Sequence, residues 1–150
     1  MNRSHFFAAF LALALSLAGA SSSYASGVLW TGSGPATARA EALLKALRSA
    51  GDHGLDPAWY NLSEVEKAMA PGADPSAAEA MLSAAFAAYA SDVSTGRVRA
   101  NRVDKEIDII QRKVDKAELL EAAASAPDFA AYLASLPPKG DYPALQKALA

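Results

Sequence analysis

Asp74-Pro75-Ser76-Ala77-Ala78-Glu79-Ala80-Met81-Leu82-Ser83-Ala84-Ala85-Phe86-Ala87-Ala88-Tyr89-Ala90-Ser91-Asp92-Val93 is the longest helical pattern in the chain. Asp74 supplies an N-cap oxygen and Pro75 a preset φ at the first helical position, so a helix is expected over 76–93. Met81, Leu82, Ala85, Phe86 and Tyr89 fall on or near one face at the spacing of an amphipathic helix. Alanine dominates the stretch. It has the highest helix propensity and a very small side chain, so neighbouring helices can approach closely. Gly96 is the expected stop.

Upstream, Ala36, Ala40, Leu43, Leu44 and Leu47 form one apolar stripe, while Arg39, Glu41, Lys45 and Arg48 occupy other faces. Gly51 stands where a C-cap is expected, with Gly54 in the same turn. Asp56-Pro57 repeats the cap-then-proline device and should start a short helix carrying Trp59 and Tyr60. Ser63 and Glu66 are spaced as a capping box for a second short segment ending near Met69. Pro71-Gly72 breaks it. Residues 26–35, rich in Gly and Ser around Trp30, read as a flexible lead-in.

Downstream, residues 97–103 read as an extended basic connector with the chain's best chance of a strand. Ile107, Ile110 and Val114 have helical spacing, although their β-branched character weakens the pattern. Asp115 should cap a helix that turns Leu119, Leu120 and Ala123 inward, and Pro127-Asp128 another with Phe129, Tyr132 and Leu133. Leu136-Pro137-Pro138 is a hard stop, and Tyr142-Pro143 opens a last helix with Leu145 and Leu149. The fold class expected is all-α, a single domain of about six to eight short-to-medium helices.

The first residues have a different character. Arg3 precedes an apolar run over 6–15, extended to Ala18, of roughly 13 residues, which suits a secretory signal and falls short of a bilayer span. Ser23-Tyr24-Ala25 places small residues where signal peptidase reads them, so residues 1–25 are expected to be a signal peptide and the product to be exported. The formal net charge is −2. Removing Arg3 brings it to about −3, and a chain of that sign has no global attraction for nucleic acid or an anionic membrane. Stable membrane insertion after signal cleavage is not expected.

Cysteine is absent and histidine occurs at two positions, one of them in the expected signal. That excludes disulfides, a thiolate nucleophile and a cysteine-held zinc, and leaves His53 alone for acid–base work. His53 reads as a solvent-facing turn residue. Asp104, Glu106 and Asp108 alternate with Arg102 and Lys105, as a salt-bridged surface does. The run Asp92-Val93-Ser94-Thr95-Gly96 fails as a calcium loop because its glycine is one position early and Val103 stands in place of the bidentate Glu. No catalytic, metal or cofactor site is expected. The basic residues Arg97, Arg99, Arg102, Lys105, Arg112, Lys113 and Lys116 admit two readings: contact with an acidic partner or the carboxylates of wall peptides, or a solvated face interleaved with acids.

Three ordered signatures resemble the scaffold domain of YcbB-type murein L,D-transpeptidases. The first is the helix at 42–47 running into Gly51-Asp52-His53-Gly54-Leu55-Asp56-Pro57-Ala58-Trp59-Tyr60, similar to a helix followed by G-L-D-P-x-x-Y. The second is the helix carrying Tyr89 that ends in Gly96-Arg97-Val98. The third is Leu136-Pro137-Pro138 followed by Tyr142-Pro143-Ala144-Leu145. Together they cover residues 36–150, the expected scaffold-like domain. Within it, Gly51, Gly54, Leu55, Asp56, Pro57, Tyr60, Tyr89, Gly96, Arg97, Tyr142 and Leu145 are expected to play structural roles, with Arg97, Arg99 and Arg102 as candidate partner or wall contacts.

The resemblance implies a periplasmic, non-catalytic scaffold or accessory protein associated with peptidoglycan L,D-transpeptidation and cell-wall remodelling. Its partner would be a cell-wall enzyme of the L,D-transpeptidase class, or peptidoglycan itself. The family's S-H-G-C-x-R catalytic signature has no counterpart here, so no activity carries over. The alternatives are a peptidoglycan-binding module acting through the basic connector and a truncated, non-functional remnant.

Overall fold

The computed structural model describes residues 28–98 and 113–149. Along them run α1 (Pro35–Arg48), a 3-10 turn (Ala50–His53), a second 3-10 turn (Pro57–Tyr60), α2 (Leu62–Ala68), α3 (Pro75–Thr95), α4 (Lys116–Ser125), α5 (Phe129–Ser135) and α6 (Tyr142–Leu149). The chain is an all-α single domain, with no strand among the described residues. Residues 99–103 of the connector expected to be strand-like, and most of the segment with Ile107 and Ile110, lie outside those residues.

Aspartate caps start four of these elements, as their sequence context predicts. Asp56 Oδ1 accepts from the Ala58 N–H at 2.9 Å, Asp74 Oδ1 from Ser76 at 3.0 Å, Asp115 Oδ1 from Ala117 at 2.7 Å and Asp128 Oδ1 from Ala131 at 2.9 Å. Each satisfies an N–H that the first turn of a helix leaves without an intrahelical partner. Asp56→Ala should therefore cost about 1 kcal/mol. A urea midpoint equal to that of the parent protein would show that this oxygen adds nothing.

α3 is the central strut. Leu82, Phe86 and Ala90 on it are fully buried, as are Leu43 and Leu47 on α1. It packs on α2, α4 and the second 3-10 turn, while α1 packs chiefly on α5. Small residues on α3 allow these close approaches, and Ala78, Ala85 and Ala87 are buried. Between the helices sits a ring cluster: Trp30 to Phe86 and Trp30 to Phe129 are both 5.4 Å between centroids, and Phe86 to Phe129 is 5.7 Å. Tilted and edge-on rings at such distances gain electrostatic complementarity beyond their buried area.

Three sequence expectations need correction. Residues 28–34 are not a flexible lead-in, because Trp30 is fully buried at the centre of the ring cluster. Its indole Nε1–H donates to Ser83 Oγ at 2.9 Å. The Glu79 carboxylate accepts the backbone N–H groups of Leu29, Trp30 and Thr31 and the Thr31 hydroxyl. One side chain of α3 thus does for this segment what a neighbouring strand would do.

Gly51 is not the cap of α1. The helix closes at Ser49, whose N–H donates to the Lys45 carbonyl, and the chain tightens directly into the first 3-10 turn. The left-handed conformation falls on Gly54, at φ 69°, where a side chain would be strained. Ser63 does not cap α2 either. Asn61, itself left-handed at φ 52°, turns the chain straight into the helix, which begins at Leu62 and leaves Ser63 inside its first turn.

Candidate functional site

Three loops separated in sequence meet at one end of α3. The 3-10 turns bring His53, Leu55 and Trp59. The end of α3 brings Asp92 and, past Gly96 at φ 77°, Arg97. The turn before α6 brings Pro138 and Tyr142. Together they line a groove of about 450 Å³, within the size range of ligand clefts. Each of the three signatures read from the sequence contributes to this groove, and only their spatial meeting makes it.

Asp92 organises the polar side. Its Oδ2 accepts the Tyr60 hydroxyl at 3.0 Å and the Arg97 Nη1–H at 2.9 Å. The Arg97 guanidinium lies 4.2 Å from the centroid of the Trp59 ring, a cation–π contact. Trp59 remains 47 % exposed, the most exposed aromatic ring named in this site. Arg97 is accordingly a fixed cation rather than a freely waving one, tied by a carboxylate on one side and an indole on the other.

His53 organises the other side. Its Nδ1 and the Tyr142 hydroxyl share a hydrogen bond of 2.7 Å, and the two rings stack with centroids 5.9 Å apart. Tyr89 meets His53 edge-on at 6.4 Å and Tyr60 edge-on at 5.6 Å. His53 is therefore partly buried and engaged, which corrects its reading as a solvent-facing turn residue. Beyond this contact α6 adds little to the core: Leu145, expected as a structural residue, is 67 % exposed.

The environment sets protonation states. Burial, then the charge of Asp92 and the hydrogen bond to it, push the Tyr60 hydroxyl well above its ordinary range. Tyr89 is pushed up to about 12, mainly by burial and next by Tyr142. Both hydroxyls stay protonated. Burial lowers the His53 pKa from 6.5, against a smaller upward pull from Asp52. A histidine whose folded pKa is depressed binds fewer protons folded than unfolded, so its contribution is complete above pH 6.5 and declines as pH falls towards the folded value. Stability should therefore decrease on acidification through that window, and His53→Gln should flatten this part of the profile. Parallel pH–stability curves for the parent and His53→Gln would refute the assignment.

Of the residues singled out in the sequence, Gly54, Leu55, Tyr60, Tyr89, Gly96, Arg97 and Tyr142 line the groove or support its walls. Asp56 and Pro57 start the turn that presents Trp59 and Tyr60. Gly51 and Leu145 are exposed and do not line it. Arg99 and Arg102 lie outside the described residues, as do Asp104, Glu106 and Asp108. Sequence reading offers Trp59 only as one of six large rings that could form an exposed apolar patch for a partner, and it does not single out His53 or Asp92 as site residues. Trp59 and His53 stand inside the quoted G-L-D-P region, so their proximity to it was the available signal; Asp92 had been weighed only as a calcium ligand.

Among the described residues no group of three or more His, Asp or Glu side chains is placed to hold a metal ion. No described helix is long and apolar enough to cross a membrane. A family model described as "Scaffold domain" matches residues 22–149. The match takes in residues 28–34, in keeping with the burial of Trp30. No curated protein and no solved structure matches the chain.

Proposed function

Because the chain belongs to the Scaffold domain family, in keeping with the scaffold domain of L,D-transpeptidases, we propose that it is an exported, non-catalytic support that docks onto a peptidoglycan L,D-transpeptidase in the periplasm. The groove at the end of α3 is its docking face. The observation that carries this reading is the convergence of three sequence-distant signatures on one partly exposed aromatic surface, with Trp59 at its edge. A scaffold domain in this family is a non-catalytic part, and the groove holds recognition chemistry: an indole, a fixed guanidinium and tyrosine hydroxyls that stay protonated.

The alternative is direct binding of peptidoglycan through the basic connector, whose described part holds Arg97 with Asp92 and Trp59 beside it. Contact dominated by apolar area is little screened by ions, whereas attraction between exposed charges falls steeply with salt. Binding of a purified L,D-transpeptidase should therefore persist between about 0.05 M and about 0.5 M salt, and Trp59→Ala should weaken it. Co-sedimentation with sacculi, strong at low salt and lost at high salt, together with no binding to the enzyme, would favour the wall-binding module and remove the scaffold reading.

A further inference from the structure

Trp59 lines a second concavity as well as the groove. On the side of α3 towards α2, a pocket of about 150 Å³ is formed by Trp59, Tyr60, Asn61, Val65 and Met81 together with the alanines at 84, 85 and 88. Ala85 and Ala88 on α3, with Ala84 at the exposed rim, have short side chains that leave room between α3 and α2. Among the described residues nothing charged lines it. One half-exposed indole therefore borders a mainly apolar pocket sized for a branched aliphatic side chain and a groove lined by Arg97.

We propose that these two concavities form a bipartite docking site for an extended peptide segment of a partner protein, with an aliphatic side chain in the alanine-lined pocket and an acidic side chain on Arg97. This rests on the docking reading above and specifies the chemistry of what docks. Three observations carry it. First, Trp59 and Arg97 are pre-organised: Tyr60 holds Asp92, Asp92 holds Arg97, and Arg97 covers Trp59. Binding then orders few additional rotamers, which is what makes a rigid aromatic–arginine pair an effective anchor. Second, Asp92 engages Arg97 through Nη1, while a guanidinium offers five donors in a fork that matches a carboxylate. Third, the charge balance favours a monoanion. Among the described residues Arg97 is the only cation lining the groove and Asp92 stands beside it, while burial lowers the His53 pKa. A phosphate dianion would meet one cation and one carboxylate. A single carboxylate can share the guanidinium with Asp92.

The test is titration of the isotopically labelled protein with Ac-Leu-Glu-NH2, Ac-Leu-Gly-Glu-NH2 and Ac-Leu-Gly-Gly-Glu-NH2, each against its Gln and its Gly-for-Leu counterpart, followed by the indole N–H of Trp59. At least one Leu–Glu peptide should shift that resonance saturably. Its Gln and Gly-for-Leu counterparts should bind about tenfold more weakly, the loss expected for one charge-assisted hydrogen bond or one buried side chain. Arg97→Gln should erase the preference for Glu over Gln, and Ala84→Leu, which fills the pocket from its exposed rim, should erase the preference for Leu over Gly. Equal binding of the Glu and Gln peptides, tighter binding of a phosphoserine peptide, or self-association abolished by Trp59→Ala would each overturn the proposal. If no peptide binds while the transpeptidase still does, this inference fails and the docking function stands. If the enzyme does not bind either, the function itself falls.

Discussion

Trp30→Ala should lower the unfolding free energy by about 3–5 kcal/mol, the usual cost of truncating a large buried ring. Trp30 touches both Phe86 on α3 and Phe129 on α5, so its loss opens a cavity where two helices meet. It also leaves Ser83 Oγ without the indole donor. Domains of this size are stable by only about 5–15 kcal/mol, so the variant should sit near the edge of folding. Guanidinium unfolding followed by far-ultraviolet circular dichroism measures this without relying on the tryptophan's own fluorescence. A midpoint within error of the parent would mean that residues 28–34 are not part of the core.

The Glu79 carboxylate is the second large term. It serves three consecutive backbone N–H groups and a hydroxyl, and it is what holds the segment bearing Trp30 against α3. Glu79→Ala should cost about 2–3 kcal/mol, the scale of charge-assisted hydrogen bonds at a partly buried site. Glu79→Gln preserves size but presents an NH2 group to N–H donors, so it should recover little of the loss. Amide hydrogen exchange gives a second readout, since protection at residues 29–31 should fall in both variants. Full stability in Glu79→Gln would show that packing of the side-chain stem, rather than its acceptor oxygens, holds the segment.

The two predictions meet at a region that sequence periodicity could not interpret. Val28-Leu29-Trp30 is too short to show a period, and the Gly and Ser around it resemble a linker. A carboxylate fifty residues away satisfies its backbone. The four aspartate caps were readable because donor and acceptor lie two or three residues apart, so the geometry follows from local sequence. Glu79 was not, because an acid on an exposed-looking helix position gives no hint of a distant partner.

The aromatic residues divide in the same way. Six rings, Trp59, Tyr60, Phe86, Tyr89, Phe129 and Tyr132, are numerous for an alanine-rich domain, and sequence could not apportion them between core and surface. Tyr60, Phe86, Tyr89 and Phe129 are buried, Tyr132 is half-buried, and Trp59 alone stands out at 47 % exposure. The difference arises because the 3-10 turn at Pro57–Tyr60 aims consecutive side chains in different directions: Tyr60 inward to Asp92, Trp59 outward to Arg97.

By itself, then, the sequence determined the helical class, the starts of the main helices, the end of α3 at Gly96 and the family signatures, all of which depend on local propensity, capping and the 3.6-residue period. Only the tertiary structure decided that Trp30 belongs to the core, that His53 is engaged by Tyr142, and that Trp59, Asp92 and Arg97 form one side of a groove. The physical reason is range. Backbone capping is settled within a turn of helix, whereas these groups acquire their partners only when the 3-10 turns, the end of α3 and the start of α6 are brought to the same place by burial of the helices between them.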